Sequence, residues 1–274
     1  MLYFCSIFKE RVIMMLIVGI VLVGLMAGVM SGLFGIGGGI VMVPTLIAFL
    51  GMDMLGANAT SLAAMLLPVG ILGVINYYKA GFIKIKDSLW ISVGLLIGSY
   101  FGAKLALSVN ISLLAKLYAA FLLYVAIGFL NIPALLKKKA VQSEKAAVQE
   151  PIKQRAFWQF SGLGAFAGVI AGLFGKGGGI VIVPVLTKFF KYEPKAATAT
   201  SLAALQLPVG LPSVIVYAQG GHFNWMYAGI MACGIVGGVF VGSKIAIKLP
   251  VASFKKAYAV FLVGVAAYMV IKYL

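Results

Sequence analysis

Charge is what this 274-residue sequence has least of: 10% of its residues are Asp, Glu, Lys or Arg, while 63% are hydrophobic. A soluble domain carries about 25% charged residues to keep its surface in water. A chain this poor in charge excludes a soluble globular protein and needs lipid as its solvent. Acid is scarcer still. Glu10, Asp53, Asp87, Glu144, Glu150 and Glu193 are the whole complement, and all fall in expected loops or at segment ends. That leaves no acidic group inside the membrane for a cation pathway and no paired carboxylates for hydrolysis. Cys5 and Cys233 stand alone in separate segments, so neither a disulfide framework nor a metal site is expected. His222 is the one histidine and lies in a Gly-rich loop, where solvation is the expected role and a proton relay the alternative. No nucleophile has a base arranged beside it. The expectation is a protein that is not an enzyme, with no catalytic residue, no metal and no cofactor.

The formal net charge is +16. In a soluble protein that excess would suggest nucleic acid; in loops between apolar segments, Lys mainly sets orientation. The partners expected are therefore membrane lipid and a small ligand, with no nucleic acid. Apolar stretches near the ~20 residues needed to span a bilayer recur along the whole chain. The first, Val12 to Phe34, is too long for a signal-peptide core and reads as a retained membrane segment. The location expected is the cell membrane, multi-pass.

The chain is written twice. Sliding it by 140 positions aligns Gly28–Gly81 with Gly168–Gly221 without a gap. "GLFGIGGGIVMVP" at 32–44 becomes "GLFGKGGGIVIVP" at 172–184, and "ATSLAA" and "LPVG" also recur. A weaker register continues through Gly94/Gly234, Gly98/Gly238 and Lys104/Lys244. The expected organisation is a first transmembrane repeat at 1–136, a basic cytoplasmic linker at 137–156 and a second repeat at 157–274. Each repeat offers five apolar elements, near 12–34, 37–50, 58–78, 88–108 and 113–135, then 157–174, 177–190, 198–218, 225–247 and 253–273. The second of each five is too short to span at 1.5 Å per residue and reads as a half-helix, a re-entrant piece or a steeply placed short helix. Strands are excluded, because the period-2 alternation of a closed barrel is absent.

Lysine separates the two copies. Lys79, Lys84 and Lys86 occupy a loop whose counterpart at 219–226 has none, whereas Lys188, Lys191 and Lys195 answer a loop holding only Asp53. Equivalent loops on opposite membrane faces explain this alternation, although Lys9 and Arg11 count against it. The fold class expected is an all-α polytopic membrane protein. It has two inverted-topology repeats with glycine-broken half-helices near the midplane.

The glycine breaks are the candidate binding site. A helix restarting inside the membrane presents free N–H groups and the positive end of its dipole to an anion. Gly37, Gly38 and Gly39, with Gly177, Gly178 and Gly179, would let a ligand approach the backbone. The alternative is close helix packing, which suits Gly94/Gly98/Gly102 and Gly234/Gly238/Gly242 better than three adjacent glycines. Lys176 replaces Ile36 in the second copy; it is a candidate for anion binding or a side chain that snorkels to the headgroups. Thr60, Ser61, Thr200 and Ser201 stand near the expected start of the third element, where hydroxyls can cap the helix or donate to an oxyanion. Asn58 and Thr198 precede them, and Gln206, replacing Leu66, is placed to line the same cavity. Asn76, Tyr77 and Tyr217 read as packing or interfacial residues.

The paired motifs "GLFGIGGGIVMVP…ATSLAA…LPVG" and "GLFGKGGGIVIVP…ATSLAA…LPVG" resemble the TauE/SafE sulfite-exporter family, the toluene-sulfonate uptake permease group. The resemblance covers nearly the whole chain. It implies a transporter for a sulfur-containing anion such as sulfite, thiosulfate, sulfoacetate or another organosulfonate; a passive anion channel, or a non-transporting membrane component of sulfur metabolism, is the alternative. It carries over to the two glycine motifs and the two Thr-Ser pairs; Lys176 has no counterpart in the first copy.

Overall fold

A computed structural model describes residues 2–35, 37–130, 156–175, 178–221, 225–248, 263–264, 266–268 and 271. The elements are α1 (Leu2–Phe34), α2 (Gly39–Leu50), α3 (Met54–Ala64), α4 (Ile71–Lys79), α5 (Ile85–Ser108) and α6 (Ile111–Leu130) in the first half. The second half has α7 (Phe157–Phe174), α8 (Gly179–Lys188), α9 (Pro194–Ala204), α10 (Leu211–Gln219) and α11 (Trp225–Lys248). Among the described residues all regular structure is helical. Among the same residues four helices, α1, α5, α7 and α11, are long and apolar enough to cross a bilayer. Large apolar side chains such as Leu22, Trp90, Phe101 and Phe166 point outward, as a lipid-facing surface requires. The expected linker at 137–156 and the tenth apolar element lie almost entirely outside the described residues.

Helices α2 and α8 match the short second elements, with 12 and 10 residues. Pro44 and Pro184 lie inside them, and each helix continues beyond its proline. The third element differs from expectation. Read as one helix over 58–78, it is two, α3 and α4, and its counterpart is likewise α9 and α10. Tightened turns close α3 (Leu66 N–H to Ala63 O, 3.0 Å), and Pro68 then has no N–H to continue the ladder. The same turn in the second copy joins Gln206 N–H to Ala203 O at 3.1 Å before Pro208. The start moves too, because Asp53 caps α3 by accepting from Gly56 N–H at 3.3 Å. Thr60 and Ser61 therefore sit within α3, so they cannot be its N-cap.

Two glycine stripes fix the long helices. A Cβ on Gly24, Gly28 or Gly32 of α1 would lie 2.3, 2.4 or 2.6 Å from the carbonyl oxygens of Met231, Ile235 and Val239 of α11. A Cβ on Gly94, Gly98 or Gly102 of α5 would lie 2.0, 2.0 or 2.2 Å from those of Ser161, Ala165 and Val169 of α7. The partner helices return the contact, with Gly234, Gly238 and Gly242 against α1 and Gly164, Gly168 and Gly172 against α5. Backbones this close exclude any side chain, which is how helices associate where water offers no driving force. Residue numbers rise together in both pairs, so α1 runs parallel to α11 and α5 parallel to α7.

Serines bind α5 to the broken span of the other half. Ser88, Ser92 and Ser99 donate to the carbonyls of Thr200, Ala204 and Val209 at 3.0, 2.7 and 2.8 Å. This ladder also runs in one direction. The two broken spans do the reverse where they meet: α3 contacts α10 and α4 contacts α9. They cross at their breaks with opposite polarity.

Candidate functional site

Each glycine motif opens with a left-handed residue. Gly35 (φ +63°) and Gly175 (φ +65°) end α1 and α7, and their amides bond back to Ser31 O and Ala171 O. Gly37 (φ +68°) then turns the chain so that α2 begins beside Ala27, about two turns back from Phe34. A Cβ on Gly38 would meet Ala27 Cβ at 2.8 Å, and one on Gly178 would meet Ala167 O at 2.9 Å. These two glycines are thus required by packing against α1 and α7, whatever else their amides do. Gly39 and Gly179 are the first residues of α2 and α8. Lys176 and Gly177 lie outside the described residues.

Two small cavities form where the half-helices meet the broken spans. One is lined by Ser31, Gly37, Gly38, Gly70, Gln206 and Ile235, among others; the other by Gly178, Gly210, Leu95, Ser99 and Ala171. Met65 and Leu205 border both. Shifting the numbers by 140 carries most of one lining onto the other, as Gly38, Val69, Gly70 and Ile235 onto Gly178, Val209, Gly210 and Leu95, so the two cavities are images under the repeat. The N-terminal ends of two short helices reach each: α2 and α4 the first, α8 and α10 the second. Each such end carries a partial positive charge and N–H groups without intrahelical partners. Among the described residues no carboxylate lines either cavity.

The hydroxyl pairs have a different setting. Ser61 donates to Gly175 O and Ser201 to Gly35 O, both at 2.8 Å and both fully buried. Each serine thus secures the carbonyl that the other half's helix leaves unpaired at its glycine cap. Asn58 donates to Leu173 O at 3.0 Å, and its Cα is 2.4 Å from where a Gly175 side chain would start. Thr198 packs on Gly35 in the equivalent way. Thr200 Oγ1 accepts from Lys84 N–H at 3.4 Å; Thr60 Oγ1 and Asn58 Oδ1 are buried without a hydrogen-bond partner among the described residues. Of the expected site residues, Gly37, Gly38 and Gln206 share one cavity, Gly178 lines the other, and neither lining includes the Asn, Thr and Ser positions.

Sequence reasoning missed the second pair of helix starts, at Gly70 and Gly210, although "LPVG" signals a break. Of the two roles expected of the tyrosines, packing is the one found, since both are buried. Tyr77 donates to Gly32 O at 2.9 Å and Tyr217 to Gly172 O at 2.7 Å, tying each broken span to the glycine stripe of its own half.

An all-helical, multi-pass membrane protein with broken helices around central cavities belongs among the membrane transporters. The TauE/SafE sulfite exporter family profile matches residues 20–269, and the chain belongs to that family. It is similar to the probable membrane transporter protein YunE of Bacillus subtilis, 27% identical over 82% of this chain and 85% of that one. It is 30% identical to the probable membrane transporter protein MJ0441 of Methanocaldococcus jannaschii, over 84% and 85% of the two chains. A probable membrane transporter protein of Haemophilus influenzae is also 30% identical, over 92% of this chain and 97% of its own. No solved structure matches the chain.

Proposed function

We propose that the protein is a carrier for a small sulfur-containing anion: sulfite, thiosulfate, sulfoacetate or another organosulfonate. It works by alternating access between halves of inverted topology. The observation that carries this reading is the convergence of short-helix N-termini, two to a cavity, on cavities whose described lining holds no carboxylate. Such a site favours negative charge and offers nothing to neutralise a cation. The inverted relation is supported by the opposite polarity of the broken spans at their crossing, and by the two parallel pairings. If α3–α4 opposes α9–α10, then α5 opposes α11 and α1 opposes α7.

Charge supports the same arrangement. Tyr192 donates to the Asp87 carboxylate, Lys195 Nζ donates to Ile247 O at 3.1 Å, and Trp90 packs on Phe157. These contacts gather Lys84, Lys86, Lys188, Lys191, Lys195, Lys244 and Lys248 toward one end of the helices. That end would face the cytoplasm. The test is flux in proteoliposomes with sulfite, thiosulfate and sulfoacetate, against chloride and sulfate as controls. A carrier gives saturable flux, accelerated by the same anion on the far side. Linear flux without that acceleration refutes alternating access, and no flux of any sulfur anion refutes the substrate class.

A further inference from the structure

The two cavities are images in position but unequal in chemistry. Ser31 and Gln206 line the first; the equivalent positions, Ala171 and Leu66, are apolar. Ser99 lines the second, but its hydroxyl is committed to the carbonyls of Val209 and Leu96. Gln206 is different. Its Nε2 donates to Leu202 O at 2.8 Å, and its Oε1 is buried with no hydrogen-bond partner among the described residues. The amide orientation is dictated by that bond, because turning it over would set Oε1 against a carbonyl oxygen. The backbone also makes room for this side chain: a Cβ on Gly70 would lie 2.3 Å from Gln206 Nε2, whereas one on Gly210 would meet only Leu62, at 3.6 Å.

We infer that the ligand binds in the cavity between the Gly37–Gly38 turn and Gln206, and that it carries a hydrogen-bond donor for Gln206 Oε1. The inference rests on the anion-carrier reading above and narrows its substrate class. Helix N-termini satisfy the acceptor oxygens of an oxyanion, but an unpaired amide oxygen repels a ligand made only of acceptors. It accepts from an S–O–H, a hydroxyl or an ammonium group. The ligand class is a compound with one negatively charged sulfur oxyanion group and one such donor, such as hydrogen sulfite, a hydroxyalkanesulfonate or a zwitterionic aminoalkanesulfonate. The second cavity, without an uncommitted polar side chain, shapes the path but does not choose the ligand.

The test compares two anions of like size, isethionate with its hydroxyl and propane-1-sulfonate without it, by calorimetric binding to the purified full-length protein. The parent binds isethionate about tenfold more tightly, the worth of one buried hydrogen bond. Gln206→Leu, which copies the first-half residue, and Gln206→Met both bring the two affinities within about twofold. Leu66→Gln, in the image cavity, leaves the preference unchanged. Equal affinities in the parent, or a preference that survives in a folded Gln206 variant, overturn the inference while leaving the anion carrier standing. Where sulfite binds and neither sulfonate does, an affinity that stays unchanged as hydrogen sulfite loses its proton overturns the inference. A parent that binds no sulfur anion overturns the carrier reading itself.

Discussion

Replacing Ser201 by Ala separates two roles for the paired hydroxyls, since structure and ligand binding predict opposite results. The Ser201 hydroxyl donates to Gly35 O at 2.8 Å, and neither residue is open to water. Between membrane helices an average side-chain hydrogen bond contributes only about 0.6 kcal/mol. Here the loss is greater, because Gly35 O ends α1 and is left as a buried, orphaned acceptor, at a cost of about 1–3 kcal/mol. At about 2 kcal/mol, a chain of this size loses about 4–8 °C in thermal midpoint. Ser61→Ala removes the equivalent bond to Gly175 O and should cost as much. The two bonds share no partner, so the double variant should lose about 4 kcal/mol. Thermal unfolding of the three purified variants in one detergent measures this, and transport KM is read on the same preparations. The clamp role predicts lowered midpoints with KM changed less than about threefold. Unchanged midpoints with an affinity loss of tenfold or more would refute it and make the serines ligands.

Gly98→Ala should destabilise by about 3 kcal/mol, at the upper end for overpacking, because its Cβ would lie 2.0 Å from Ala165 O. Gly237→Ala meets nothing within 4 Å and should be neutral or stabilising by up to about 1 kcal/mol, in the same unfolding assay. Gly70→Ala should push the Gln206 amide aside and impair flux with little loss of stability, while Gly210→Ala changes neither; equal flux in the two variants would refute a role for that amide. Single cysteines at Lys84 and Gln219, both exposed, in a chain lacking Cys5 and Cys233, should label from opposite sides with an impermeant thiol reagent. Labelling from one side only would sink the inverted topology. Lys176→Met should weaken anion affinity about ten- to a hundredfold, from a lost attraction on the order of 1–3 kcal/mol in a partly wet site. Parental affinity in that variant assigns Lys176 to the headgroups.

The repeat, the short second helices and the small-residue contact of Gly94, Gly98 and Gly102 were legible because each is a local pattern in the chain. The stripes at Gly24/Gly28/Gly32 and Gly164/Gly168/Gly172 have the same spacing and were equally open to view. The break at 65–70 is local too. It is masked by the apolar residues on either side, and only Pro68 gives it away. The serines are another matter. Ser61 and Ser201 occur in a helix-compatible motif whose sequence shows two hydroxyls and no partner; the carbonyls they serve lie in the other half. A side chain's donor can be read from its residue type, but the acceptor across a long-range crossing cannot. The inequality of the cavities was half visible: the exchange of Leu66 for Gln206 can be read by aligning the repeats. That its amide oxygen is buried and unpartnered depends on where Gly70 comes to rest.

The reciprocal clamps also bear on how the chain is made. When the ribosome has delivered only the first half, the Gly35 carbonyl has no Ser201 to receive, and Ser61 has no Gly175 to serve. The stripe on α1 has no α11, and that on α5 has no α7. The nascent first half should therefore sit in the bilayer as loosely held helices, its final form waiting for α11 to be synthesised. Biogenesis then resembles the docking of two subunits that happen to share a tether. The halves made as separate polypeptides in one cell should find each other, whereas either half made alone should fall to the proteases that clear unassembled membrane proteins.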